Sequence, residues 1–206
     1  MSDLPWVKKG EQLIKYNSGY YRNAYFGWGK TETQMYGYIK GYKEAADLLV
    51  SNALDSRDIS VLDTVVFPIC FLYRHSIELF LKQLLLKFSD KSRDEVINAI
   101  RKNGHNIKGI WDELKPIILR DSSEDEKQDV NAAEDYILQL HDFDNDSFAF
   151  RYPITKALNL IHDKNKYLDL GNVKQRMEEL HNFLSAVEDH LSARLQAKVE
   201  MLQYWY

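Results

Sequence analysis

The sequence predicts an all-α protein, a helical bundle of about five to seven helices with one short extended segment near residues 147–153. Three observations carry this. The stretch VLDTVVFPICFLYRHSIELFLKQLLLKF (61–88) has apolar residues at nearly every angular position, the mark of a helix buried on most sides. Several other segments repeat apolar residues every three or four positions. Strand-like alternation is confined to SFAFRYPI, where Tyr152 before Pro153 favours extended backbone.

The chain has 206 residues, of which 45% are hydrophobic and 28% charged, ordinary values for one globular domain with a real core. It divides into an aromatic N-terminal arm, 1–30, and a single helical domain, 31–206. With a net charge of −4 there is no strong positive field to draw nucleic acid, so such binding would need a local patch. The single cysteine, Cys70, lies inside the apolar stretch. It excludes an internal disulfide framework and reads as a small buried hydrophobe. No signal-peptide pattern is present at the N-terminus. Arg74, His75, Glu78, Lys82 and Gln83 interrupt the central stretch inside the roughly 20 residues a membrane span needs. A cytoplasmic protein with no membrane contact is the expectation.

In chain order, the arm carries Trp6, Tyr16, Tyr20, Tyr21, Tyr25, Phe26 and Trp28 between glycines, with one short helix expected near Glu11 to Tyr16. These rings can stack on exposed bases, or pack the arm on its own domain or a second subunit. Thr31 or Thr33 caps a helix running to about Asn52, with Met35, Tyr38, Tyr42, Ala45, Leu48 and Leu49 as its core stripe. Gly37 and Gly41 permit another helix to approach. After the loop LDSRDIS, with Asp58 and Ser60 as candidate caps, the regular central helix is expected from about Pro68 to Phe88, since proline suits a helix start.

Ser89 or Ser92 caps a short helix stopped by Gly104. In the next helix Ile107, Ile110, Trp111, Leu114 and Ile118 form the apolar face, and Pro116 is expected to distort or end it. The acidic run 121–126 leads into a helix reaching about His141. Asp142, Asp144 and Asp146 alternate like the first half of a calcium loop, but the sixth and twelfth positions are Ser147 and Pro153 rather than glycine and glutamate. No metal and no cofactor is therefore expected. Residues 154–170 read as a partly helical turn or small hairpin. A long C-terminal helix, about 172–203, carries Val173, Met177, Leu180, Leu184, Val187, Leu191, Leu195, Val199 and Leu202 at near-heptad spacing. It either spans the domain or pairs distally with a second copy, and the apolar tip Tyr204-Trp205-Tyr206 is expected to dock.

Arg74, Glu78 and Lys82 lie on one helical stripe with His75 beside it. Together with His105, Asn106 and Arg151 they form the candidate polar cluster. It reads either as an internal clasp or as a pocket for a nucleotide or RNA end; burying such charges demands pairing in both cases. P-loop, dinucleotide-binding, nucleophile-elbow and zinc-protease signatures are absent.

The segments FLYRHSIELFLKQLL, GHNIKGIWDEL and DSFAFRYP resemble a group of bacterial helical proteins that carry YRH-x-x-E, a Gly-His pair before Asn or Asp, and FRYP-like segments. That resemblance covers about residues 36–153. More distantly, the long paired helices resemble the HEPN superfamily of toxin–antitoxin, abortive-infection and other phage-defence systems. Its catalytic members are metal-independent ribonucleases with an arginine and a histidine, four to six residues between them, early in the last helix. They dimerise to bring two such motifs together. The resemblance thus implies Arg176 and His181 (RMEELH) as catalytic residues, the histidine as general base on a ribose 2′-hydroxyl and the arginine steadying phosphorane charge. Met177 departs from the pattern, since active members usually have a polar residue there. The function implied is a homodimeric defence or stress module that engages RNA or a nucleotide, with an antitoxin or other protein partner. From a different class, the alternative is a non-catalytic interaction module using the long C-terminal helix and the aromatic arm.

Overall fold

The computed structural model describes residues 4–15, 21, 23–120, 122–155, 157–162 and 167–204. Among them are six helices and no strand: α1 Thr31–Ser56, α2 Ile59–Phe88, α3 Arg93–Asn103, α4 Ile107–Leu119, α5 Glu124–Phe143 and α6 Leu170–Tyr204. The all-α class and the helix number are as the sequence predicts.

α2 is the axis of the bundle and packs against α1, α3, α4 and α6. It starts at Ile59, nine residues before Pro68, because Asp58 caps it by accepting from the Ser60 amide at 2.9 Å. The helix continues through Pro68, which corrects the expected start there. α4 likewise runs through Pro116 to Leu119. α2 is also the one described helix with an 18-residue window apolar enough for a membrane span, despite its charges; half of that window is buried inside the bundle.

The caps of the shorter helices follow local chemistry. Ser92 with Glu95, and Ser123 with Glu126, close reciprocal capping boxes on α3 and α5. Gly104, at φ 56°, ends α3, and the Asn106 side chain accepts from the Gly109 amide at 2.9 Å to open α4. No side chain caps α1, whose first residue is Thr31 itself.

The fully buried face of α1 is Ile39, Ala46, Val50 and Ala53; of the predicted stripe Met35 and Leu49 pack against the core, whereas Tyr38 and Leu48 are exposed. Small alanines let α1 lie close against the bulky side chains of α2. Gly37 receives no helix; an added Cβ there would meet the Trp28 ring at 2.6 Å, so the arm folds back on α1 at this point. Gly41 faces open space. The short helix expected in the arm is not formed in residues 11–15, and Tyr16 and Tyr20 lie outside the described residues.

Residues 147–153 form a compact turn rather than an extended segment. Asp144 Oδ1 accepts from the amides of Phe148 and Ala149 at 2.9 and 3.1 Å, and Ser147 takes a left-handed φ of 62°. That local side-chain capture outcompetes strand geometry. Beyond it, Ile154 and Leu160 make one isolated antiparallel bridge, and His162 Nε2 donates to the Ala149 carbonyl at 2.7 Å while stacking on Phe150.

Side-chain contacts set the registers of α6. Against α2 it runs parallel, with Ser76 on His181 and Gln83 on Glu188. Against α5 it runs antiparallel, with Tyr136 on Glu179, and against α1 antiparallel, with Lys43 on Glu178 and Ser51 on Lys174. Extending these registers, α1 starts, α2 ends and α5 starts level with about residues 191–193 of α6. α6 itself runs to Tyr204. At 1.5 Å per residue it therefore extends about 16 Å past those three helix ends. Trp205, Tyr206 and the Tyr204 side chain lie outside the described residues, and with them the expected docking of the tip.

Candidate functional site: a buried clasp, a separate histidine and a projecting helix

Arg74 is fully buried at the middle of α2. Its Nη1 donates to Glu78 Oε2 at 3.0 Å, its Nη2 to the His105 carbonyl at 2.6 Å, and its Nε to the Asp144 carbonyl at 2.7 Å. The Asp144 carboxylate adds an ion pair at 3.7 Å. The other Glu78 oxygen, Oε1, is 2.7 Å from Lys82 Nζ and 2.9 Å from His105 Nδ1. Burial alone would push the Glu78 carboxyl up, but the Lys82 and His105 contacts bring it net below its ordinary value. The charges are thus paired and the guanidinium donors spent inside the protein, which is the arrangement a buried ion pair needs.

Of the predicted cluster, the fold brings together Arg74, Glu78, Lys82 and His105, with Asn106 next to them as the α4 cap. His75 points elsewhere: its ring stacks on Phe71 at 5.5 Å and meets Tyr42 edge-on at 4.7 Å, and burial lowers its pKa. Arg151 also stays out, because its Nε donates to the Ser147 carbonyl within its own turn and its guanidinium lies 5.9 Å from the Tyr152 ring. Asp144 is the member that sequence reasoning missed. Half of its role is a main-chain carbonyl, which leaves no side-chain signature, although its alternation with Asp142 and Asp146 had marked the segment.

Arg176 and His181 leave α6 on different sides. Arg176 turns to α5, with Nη1 3.3 Å from the Tyr136 hydroxyl and Nη2 2.8 Å from Glu179. His181 turns inward, 8% exposed, with Nε2 3.0 Å from Ser76 Oγ. Burial, then Lys43, push its pKa down to about 4 against the opposing carboxylates Asp47 and Glu178. Beside it runs a second chain the sequence did not flag: the Tyr73 hydroxyl donates to Asp47 at 2.6 Å, Asp47 pairs with Lys43 at 2.8 Å, and Lys43 reaches Glu178. Its one legible sign was Lys43 and Asp47 four residues apart on α1.

Two surface features remain. Tyr25, Phe26, Trp28, Tyr38 and Tyr42 wall a groove of about 610 Å³ between the arm and α1, floored by Gly37 and Gly41. On projecting α6, Leu195, Val199 and Leu202 continue the spacing of the core stripe yet are 49%, 48% and 55% exposed. No group of three or more His, Cys, Asp or Glu among the described residues is arranged to hold a metal.

Comparison with known protein families, curated proteins and solved structures gives no match to this chain. In class, the molecule is an all-α bundle organised on a buried arginine clasp, with one helix outrunning the rest.

Proposed function

We propose that this protein is a non-catalytic interaction module whose working surface is the projecting end of α6. One observation carries the reading: the apolar spacing of the last helix persists about 16 Å beyond the ends of α1, α2 and α5, with Leu195, Val199, Met201 and Leu202 all exposed. A solvated helix end under no such demand would turn polar, whereas contiguous exposed apolar surface marks a docking site. The exposed rings of the arm add a second apolar surface beside α1.

The ribonuclease reading requires Arg176 and His181 to converge on one ribose. A histidine turned to Ser76 and an arginine turned to Tyr136 lend it no support within one chain. An antitoxin partner and a role in phage defence stand on the family resemblance alone, and the spent donors of the Arg74 clasp lend no support to a nucleotide or RNA pocket there.

The test has two parts. RNA is incubated with purified protein in chelator, wild type beside Arg176→Ala, a partly exposed residue whose loss leaves the core intact; no cleavage by either is expected. A chain ending at Arg194 is expected to keep the bundle's stability to within about 1 kcal/mol, because residues 195–203 beyond it are exposed. Cleavage that disappears with Arg176, or collapse of the shortened bundle, would overturn the reading.

A further inference from the structure

The groove between the arm and α1 is walled by rings and carries no charge. Tyr25, Phe26 and Trp28 stand on the arm side, Tyr38 and Tyr42 on the helix side, and none of the lining residues is ionic. The charged residues of this part of α1 offset one another: Lys30 is followed by Glu32, Lys40 pairs with Glu44 at 3.6 Å, and Lys43 is committed to Asp47 and Glu178. Two of the walls are braced. An added Cβ at Gly37 would come within 2.6 Å of the Trp28 ring, and Tyr42 meets His75 edge-on at 4.7 Å. Gly41 leaves the floor open, with nothing within 4 Å of an added Cβ. The helix side runs from Gln34 to Ala45, about 16 Å at a rise of about 1.5 Å per residue.

We propose that this groove takes a proline-rich segment of another protein, held in the polyproline II conformation. Such a chain rises about 3.1 Å per residue, so about five residues fill the run. The 6.2 Å between the Tyr38 and Tyr42 ring centroids spans two of them. Flat ring faces suit pyrrolidine rings, and grooves lined by aromatic residues are where these ligands dock. Proline offers a carbonyl acceptor and no N–H, while the tyrosine hydroxyls and the Trp28 indole N–H supply donors. The chain's own four prolines are scattered, so the segment comes from elsewhere. A nucleic acid strand would stack on the same rings, but its phosphates would meet no cation in the lining. A quaternary ammonium would fill a small part of about 610 Å³ and find no carboxylate there. The inference shares with the proposed function the view of this chain as an interaction module, but uses a surface other than the end of α6.

The test titrates the full chain with decaproline of blocked, uncharged ends, followed by isothermal calorimetry. One saturable site per chain is expected, and a glycine–serine peptide of equal length should not bind. Tyr38→Ala removes an exposed wall and should weaken binding about tenfold or more. Gly41→Leu fills the floor from a position with open space around it, and should abolish binding with helicity unchanged. Absence of decaproline binding overturns the proposal, as does equal binding by the wild type and both variants. Tighter binding of a uridine decanucleotide would assign the rings to nucleic acid and overturn it too. Collapse of the shortened bundle or Arg176-dependent cleavage would sink the reading of α6 and leave peptide binding untouched, so the two failures are distinguishable.

Discussion

Ser76 Oγ donates its only proton to the Tyr73 carbonyl at 2.7 Å, so it must receive the hydrogen bond from His181 Nε2 3.0 Å away. The imidazole Nε2 therefore carries a proton committed to the interior, and burial keeps the ring neutral at ordinary pH. Folding lowers its pKa from the ordinary 6.5 to about 4, chiefly through burial. The unfolded chain takes up a proton that the folded chain refuses. Stability is thus full above about pH 6.5 and falls as the pH drops toward 4, by about 3 kcal/mol at the foot of that range. Urea midpoints at pH 7.5 and 5.0 should separate clearly for the wild type. In His181→Gln most of that separation should vanish; equal separations would refute this account.

Removing the Arg74 guanidinium strips donors from Glu78 and from two buried carbonyls at once. Arg74→Met should cost about 3–5 kcal/mol, the usual penalty for breaking a buried pair. Arg74→Lys should recover only part of it, because an ammonium cannot span three diverging acceptors. Denaturant titration decides, and a loss under about 1 kcal/mol for Arg74→Met would show that the clasp contributes little.

The two glycines of α1 should respond in opposite ways to alanine. At Gly41 nothing lies within 4 Å of an added Cβ, so the change should stabilise the helix by about 0.5–1 kcal/mol. At Gly37 the methyl collides with the Trp28 ring. Gly37→Ala should lift the arm from α1, read as faster trypsin cleavage after Lys30 with α1 itself intact.

Burial pushes the Cys70 thiol up to about 12. The thiolate, which is the reactive form, is then almost absent at neutral pH. A thiol reagent should leave the native protein unlabelled for hours and label one site per chain in denaturant. Prompt native labelling would mean that the middle of α2 opens readily.

Much of this architecture was legible because spacing encodes it. The apolar faces of α4 and α6, the caps at Asp58 and Ser92, and the alignment of Arg74 with Glu78 and Lys82 all follow from helical periodicity. The failures have particular causes. On α1 the large residues Tyr38 and Leu48 drew the predicted stripe outward, while the true contact face is set by Ala46 and Ala53, whose hydrophobicity is weak but whose size fits. At 147–153 the alternation suggested a strand, and the Asp144 carboxylate instead folded the chain into a turn. The candidate site divided for a related reason: His75 and Arg151 are close in sequence to the clasp, but side-chain direction sends one between aromatic rings and the other back to its own carbonyl. Carbonyl acceptors such as those of His105 and Asp144 leave no trace in the sequence of side chains.

The Arg74 clasp bears on how the chain reaches this state. Its three hydrogen-bonding directions end on α2 itself, on the corner between α3 and α4, and on the turn after α5, segments 31 and 70 residues away along the chain. A guanidinium leaves water at tolerable cost only when all its acceptors have arrived. A half-assembled chain lacking any one of these segments must keep Arg74 hydrated, and with it hold the centre of α2 ajar. Partly folded species are penalised in proportion to what they lack, so the last docking step commits the whole bundle and opening any one segment loosens the others. A single side chain thereby makes folding more nearly all-or-none than the short, local helix contacts of such a bundle would by themselves.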